Sequence, residues 1–100
     1  MTQRLDETQI NRELAALPAW SRVGDEIQAN FTAPDFIGAL AFVNSIAALA
    51  EAAGHHPDID IRYNVVSLAL TTHDAKGLTH KDFALAKQID IAAAGIVDAG

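Results

Sequence analysis

The chain has 100 residues, half of them apolar, no cysteine, and a formal net charge of −6 at pH 7. This size suits one domain with one hydrophobic core, which we expect to span residues 1–100, and the missing cysteine excludes disulfides, thiolate metal sites and thiol catalysis. The acidic charge, with only seven scattered basic residues, argues against binding to nucleic acid or to an anionic membrane.

No targeting or membrane-spanning segment is expected. The first fifteen residues are polar and mixed in charge, without the basic start and apolar run of a secretory signal. The longest apolar stretch, residues 36–50, is interrupted by Asn44 and Ser45 and followed by Glu51, so we expect no helix that spans a bilayer. These features favour a cytoplasmic protein.

The N-terminal segment predicts a helix followed by a β-hairpin. Apolar residues recur near helical periodicity and predict a helix over residues 7–16 that ends before Pro18: Leu5, Ile10, Leu14 and Leu17. Two short runs, residues 20–23 and 26–32, then flank Gly24-Asp25. We predict a hairpin there, because a glycine can adopt the positive φ of a tight turn.

A second helix is predicted to follow the hairpin. Thr32 is the expected cap, Pro34 lies in the expected first turn, and Asp35 complements the helix dipole. Apolar residues then follow at helical spacing: Phe36, Leu40, Val43 and Ala47. The helix should end near Ala53, with Gly54 as the left-handed stop.

The C-terminal half predicts two strands and a closing helix. Residues 58–72 are rich in β-branched side chains and are divided at Tyr63-Asn64, because fifteen residues are too many for one ordinary strand. Thr79 to Asp82 form a capping-box variant, and an apolar stripe follows: Phe83, Leu85, Ala86, Ile89, Ala93, Ile96 and Val97. The predicted class is α+β in the order α-β-β-α-β-β-α, with a four-stranded, mostly antiparallel sheet and three helices on one face.

Three of the four histidines form the main concentration of titratable groups. His55 and His56 lie between Gly54 and Pro57, and His73 follows Thr72 at a predicted strand end. Histidine titrates near neutral pH and can both give and take a proton. Solvent-facing loop histidines and a metal site are the alternatives, although adjacent histidines generally point in different directions and the spacing matches no standard zinc motif.

Three further residues have competing interpretations. Asp82 is explained by helix capping alone, so a catalytic role is not required by its position. Glu51 lies one turn before His55, where it is either a solvated charge or a ligand contact. Trp20 is interpreted as a core residue at a strand start rather than as a stacking platform.

The histidines belong to a longer pattern that resembles the signature of the pterin-4a-carbinolamine dehydratases. The pattern is Glu51-x3-His55-His56-Pro57-Asp58-x4-Tyr63-Asn64-x-Val66-x5-Thr72-His73-Asp74-x2-Gly77-Leu78-x3-Asp82. Trp20 and residues 36–42 also look like the hairpin and central helix of that family. The family fold, three helices against one face of a four-stranded antiparallel sheet, agrees with the predicted order of elements.

The resemblance implies dehydration of 4a-hydroxytetrahydrobiopterin, the product of aromatic amino-acid hydroxylases, to quinonoid dihydropterin. It implies catalytic roles for His55, His56, His73 and Asp82, and pterin contacts from Glu51 and from two segments, Gly54 to His56 and Thr71 to His73. It implies no metal and no cofactor, since the pterin is the substrate, and an assembly of two or four chains.

The resemblance also leaves other functions open. Animal members of the family act as dimerisation cofactors for a homeodomain transcription factor, which makes a non-catalytic binding or regulatory module the main alternative. A catalytically idle relative in pterin or molybdenum-cofactor metabolism is another. Many family members carry an aromatic residue where this chain has Ile59, and an aliphatic side chain cannot stack on a pterin ring in the same way.

Overall fold

The computed structural model describes residues 3–99. Its elements are, in chain order, α1 (Glu7–Ala15), β1 (Ser21–Val23), β2 (Glu26–Thr32), α2 (Phe36–Ala53), β3 (Asp58–Arg62), β4 (Val65–Leu70), a 3₁₀ helix (His73–Ala75), α3 (His80–Ala93) and β5 (Asp98–Ala99). The predicted α+β class and the order of elements up to α3 are confirmed, including the division between β3 and β4. The short strand β5 was not predicted.

The strands form one antiparallel sheet in the order β1-β2-β4-β3. The buried residues of β2 lie opposite those of β4, with Ile27 against Leu70 and Phe31 against Val66. Because side chains alternate across a strand, one face of the sheet is apolar and packs into the core, while the other carries polar residues such as Gln28. The helices cover the apolar face.

The predicted closing helix was too long at its C-terminal end. Helix α3 stops at Ala93, and Gly95, with φ of 76°, turns the chain out of the helix. Val97 is buried in the core, but Ile96 is 54% exposed, so these two residues do not continue a helical stripe. The segment then forms β5, which pairs with the C-terminal end of β2. That end has a free edge because β2 has seven residues, and the three residues of β1 pair only with its N-terminal part.

The start of α2 was also predicted incorrectly. Thr32 is the last residue of β2, and its backbone is paired with Val65, so it cannot cap the helix. Asp35 is the cap instead, and its carboxylate accepts a 2.7 Å hydrogen bond from the backbone N–H of Gly38. At the other end the prediction is confirmed, since Gly54 ends the helix in the left-handed conformation with φ of 61°.

Helix α2 is long and apolar enough to span a bilayer, by length and composition only. Contrary to the expectation from the sequence, Asn44 and Ser45 therefore do not offset the surrounding apolar residues in length and composition. Core helices of globular domains meet the same criterion. The buried face of α2 packs into the core through Ala39, Phe42, Ile46 and Ala50, and much of the remaining surface is exposed.

Three aromatic rings connect the helix layer to the sheet. Phe31 of β2 contacts Trp20 edge-on, with ring centroids 6.2 Å apart, and contacts Phe42 of α2 at 5.1 Å. Trp20 is 4% exposed, and its indole N–H donates a 2.8 Å hydrogen bond to Asp90 of α3. The prediction that Trp20 is a core residue is confirmed.

Replacing Phe42 by alanine should therefore destabilise the domain strongly. Loss of a fully buried phenylalanine costs about 3–5 kcal/mol, a large part of the roughly 5–15 kcal/mol that holds a small domain folded. Phe36, on the same helix but 45% exposed, is the matched control, and Phe36→Ala should cost about 1 kcal/mol or less. Urea unfolding of both variants at one protein concentration measures the difference, and equal losses would contradict this account of the core.

Candidate functional site

The three motif histidines line one cleft, where the end of α2, the end of β4 and the start of α3 meet. The cleft has a volume of about 230 Å³ and is lined by Gly54, His55, His56, Thr71, Thr72, His73, Asp74 and Lys81. Glu51 and Asp82 do not line it but contact it through the histidines. A depression of similar volume on the open face of the sheet contains no histidine.

His55 is held by a buried carboxylate. Its Nε2 lies 2.6 Å from Oδ1 of Asp82, and the side chains are 10% and 0% exposed, respectively. Oδ2 of Asp82 accepts 2.9 Å hydrogen bonds from the hydroxyl of Thr72 and from the backbone N–H of Thr79. Asp82 therefore has both of the roles that the sequence left open: it caps α3, and it contacts a histidine.

His56 has a different environment from its neighbour. Its Nε2 contacts a carboxylate oxygen of Glu51, and the two side chains are 64% and 76% exposed. The left-handed turn at Gly54 ends α2 just before the pair, and the backbone N–H of His55 still reaches Ala50 O at 3.1 Å. One histidine therefore reaches the interior and the next one stays with the solvent-exposed end of α2.

His73 reaches the cleft from the loop after β4. It begins the 3₁₀ helix, and the loop is closed by a bridge between Thr72 and Gly77. The ring is exposed and makes no side-chain hydrogen bond within residues 3–99. Thr71, two residues before His73, donates a 2.6 Å hydrogen bond to the carbonyl of Asp25. This bond attaches the end of β4 to the hairpin turn.

The sequence did not identify Asp74 and Lys81 as cleft residues. Both are exposed, with Asp74 in the 3₁₀ helix beside His73 and Lys81 in the first turn of α3 beside Asp82. Their positions next to motif residues were the available signal. Conversely, Ile59 lies on β3 and is not among the residues that line the cleft. The fourth histidine, His80, is exposed and lines a different depression.

The cleft presents imidazole rings with different degrees of exposure, two of them paired with carboxylates. Within residues 3–99, no group of three His, Cys, Asp or Glu side chains is placed to hold a metal ion. Imidazole rings at the rim of a cleft can exchange protons with a bound molecule and with solvent, whereas a buried imidazole is held in one orientation. The arrangement is suited to acid-base chemistry.

The hydroxyl of Thr72 should contribute measurably to stability. In Thr72→Val, Oδ2 of Asp82 loses one donor, and the buried hydroxyl of Thr79 loses its 2.7 Å hydrogen bond to Thr72. The two losses should together cost about 1–3 kcal/mol. Thr72→Ser keeps the hydroxyl and removes one methyl group, which should cost about 0.8 kcal/mol. Thermal unfolding compares the two variants. A smaller loss in the valine variant would show that the hydroxyl contributes little.

Comparisons with known proteins agree with the motif. The sequence profile of the pterin 4 alpha carbinolamine dehydratase family matches residues 3–92. A protein from Roseiflexus sp. (strain RS-1) is 58% identical over 90 residues, covering 90% of this chain and 97% of the relative. A protein from Chloroflexus aurantiacus (strain J-10-fl) is 62% identical over 87 residues, covering 87% and 94%. Both are provisionally named pterin-4-alpha-carbinolamine dehydratase.

Solved structures extend the comparison to the fold. A crystal structure of a transcriptional coactivator/pterin dehydratase from Brucella melitensis is 34% identical, with a TM-score of 0.88, and the match covers 91% of this chain and 99% of that one. A pterin dehydratase-like protein described as a RuBisCO assembly factor in the alpha-carboxysome is 25% identical, with a TM-score of 0.67, covering 76% and 90%. Profile, sequence identity and fold agree, and this chain belongs to the pterin-4a-carbinolamine dehydratase family.

Proposed function

We propose that this protein dehydrates 4a-hydroxytetrahydrobiopterin to quinonoid dihydropterin and water by histidine acid-base catalysis. The observation that carries the proposal is the convergence of His55, His56 and His73 on one cleft. Membership of the family makes a pterin carbinolamine the expected substrate class. The chain would act as a single domain, residues 1–100, in tetrahydrobiopterin recycling.

The bond to be broken dictates the chemistry. Hydroxide is a poor leaving group, so an imidazolium protonates the 4a-oxygen while a neutral imidazole accepts the proton from N5. The C4a–O bond breaks, water leaves, and the N5–C4a double bond forms. No electrons are gained or lost, so the reaction needs no redox cofactor, and we propose that the imidazolium takes the place of a metal ion in activating the leaving hydroxide.

The exposure of the three histidines supports a division of roles. We assign proton transfer to His56 and His73, whose exposed rings can exchange protons with solvent after each turnover. We assign pterin binding to His55, whose ring Asp82 holds in place. Glu51 orients His56, and the segments Gly54 to His56 and Thr71 to His73 contact the pterin.

Loss of either exposed histidine should impair turnover. A positioned general acid or base contributes roughly 10²–10⁴-fold in rate, so His56→Ala and His73→Ala should each lower the rate by about that factor and leave measurable activity. The measurement is the dehydration rate of freshly made 4a-hydroxytetrahydropterin in the presence of a chelator. His80→Ala is the matched control, because His80 lies outside the cleft, and its rate should stay close to that of the wild type.

Other outcomes would contradict the proposal in different ways. Loss of activity only on chelation would indicate a metal-dependent reaction. A rate that falls equally in the His80→Ala variant would show that the effects are not specific to the cleft. No acceleration by folded wild-type protein would contradict the enzyme and favour a non-catalytic pterin-binding or dimerisation module.

That second candidate function has a specific observation behind it. The Brucella protein is described as a transcriptional coactivator as well as a pterin dehydratase, and the carboxysome protein as a RuBisCO assembly factor. Proteins with this fold are thus also described by functions other than dehydration. Turnover of the carbinolamine distinguishes the two candidates for this chain, because a binding module accelerates nothing.

We also propose a cytoplasmic homodimer or homotetramer, supplied with substrate by an aromatic amino-acid hydroxylase. Helix α2 exposes apolar side chains on its outer face, including Ile37 at 71%. Within residues 3–99, β3 pairs only with β4, so its outer edge is open. Exposed apolar surface and open strand edges are the features that association between copies covers.

Static light scattering at micromolar concentration should give a mass of two or four chains of 10.6 kDa each. Ile37→Asp should lower that mass, because a charge on the outer face of α2 would be buried in the interface. Ile91→Asp is the control, since Ile91 is equally apolar and 77% exposed but lies on α3. A monomeric wild type would contradict the assembly, and an unchanged mass for Ile37→Asp would contradict the part assigned to α2.

A further inference from the structure

The hydrogen bonds around Asp82 determine the position of every polar proton in the network. The Thr72 hydroxyl donates its one proton to Oδ2 of Asp82 at 2.9 Å, since a carboxylate only accepts. In the 2.7 Å contact between Thr72 and Thr79, the hydroxyl of Thr79 must then be the donor. The Thr79 oxygen accepts in turn from the backbone N–H of Lys81 at 3.2 Å.

The remaining acceptor of Asp82 fixes the position of the proton on His55. Oδ2 of Asp82 is already occupied by Thr72 and by the backbone N–H of Thr79, which leaves Oδ1 for the imidazole. Asp82 is the third residue of α3, where the helix dipole stabilises a negative charge. A carboxylate at Oδ1 requires a donor at 2.6 Å, so Nε2 of His55 carries the proton.

The other ring nitrogen of His55 is exposed to solvent. His55 lines the cleft, and Nδ1 has no hydrogen-bond partner within residues 3–99. In the same part of the chain, no buried side-chain nitrogen or oxygen lacks a partner. Nδ1 is therefore among the atoms through which this ring, 10% exposed, meets solvent. A neutral imidazole protonated at Nε2 has its lone pair at Nδ1.

We propose that the chain of hydroxyls from Thr79 through Thr72 to Asp82 holds His55 in the Nε2–H tautomer, so that Nδ1 accepts a hydrogen bond from a ring N–H of the bound pterin. Asp82, Thr72 and Thr79 are thus positioning residues that act through His55. This inference rests on the proposed function for the identity of the ligand, but the tautomer itself does not depend on turnover.

The substitution Asp82→Asn should reverse the tautomer of His55. The backbone N–H of Thr79 can only donate, so the amide oxygen of the asparagine takes the place of Oδ2 and its NH₂ group takes the place of Oδ1. The NH₂ group then donates to Nε2 of His55, which must become the acceptor. The proton moves to Nδ1, and the cleft is offered a donor where the wild type offers an acceptor.

The test is long-range ¹H–¹⁵N correlation of protein labelled at the histidine ring nitrogens, at a pH that keeps the imidazoles neutral. His55→Gln identifies the His55 signals. In the wild type we expect the Nε2–H tautomer and a directly observed Nε2 proton, because the buried hydrogen bond slows its exchange with water. Asp82→Asn should show the Nδ1–H tautomer, and Thr72→Ser, which keeps the hydroxyl, should match the wild type.

Binding of dihydrobiopterin, followed by fluorescence, tests the acceptor role. Asp82→Asn should weaken it by about tenfold or more, because a donor then faces a donor, while His80→Ala, which lies outside the cleft, should bind within a few-fold of wild type. An Nδ1–H tautomer in the wild type would overturn the proposal even if Asp82→Asn failed to fold. Unchanged tautomer or affinity in a folded Asp82→Asn variant would overturn it too. A protein without dehydratase activity that still shows the predicted tautomers would contradict the proposed function alone.

Discussion

The site depends on the hydrogen bonds that the carboxylate of Asp82 accepts. It is fully buried, and its two oxygens join the start of α3, the end of β4 and the loop after α2. An ionised group in the interior is tolerated only when it is fully hydrogen-bonded, and here each bond also fixes a neighbouring element. Removing one donor therefore affects the fold and the position of His55 together.

The network explains why capping and a site role coincide in one residue. A capping box needs a side-chain acceptor at the third helical position, directed back to the cap, and in α3 this acceptor is the carboxylate of Asp82. This geometry turns the carboxylate toward the end of β4, where Thr72 and the histidines lie. The backbone N–H of Thr79 and the hydroxyl of Thr72 donate to one oxygen, and the other remains for the imidazole.

Local signals in the sequence predicted much of this architecture. The stop at Gly54, the capping box at Thr79 and the division at Tyr63-Asn64 depend on short-range geometry, and all three were predicted correctly. The start of α2 and strand β5 were not, because both depend on pairing between distant segments. Thr32 would be a good cap in isolation, but the partners of β2 hold it in the sheet.

The same distinction between local and long-range effects applies to the candidate site. The motif predicted which residues would be near one another, including Glu51 and Asp82, but not which histidine would pair with which acid. That pairing depends on the direction of each ring after the turn at Gly54. Asp74 and Lys81 were missed because exposed charges beside a motif have no spacing that distinguishes them from ordinary surface residues.

The left-handed turn at Gly54 has a consequence for how this family can diversify. It gives two consecutive residues separate partners, one in the interior and one in solvent, and substitutions of exposed residues usually change the free energy of unfolding little. The outer pair of Glu51 and His56 can therefore vary with little cost to folding, while the inner pair is constrained by the helix that it helps to begin. The cleft can in this way adapt to new ligands on an unchanged scaffold.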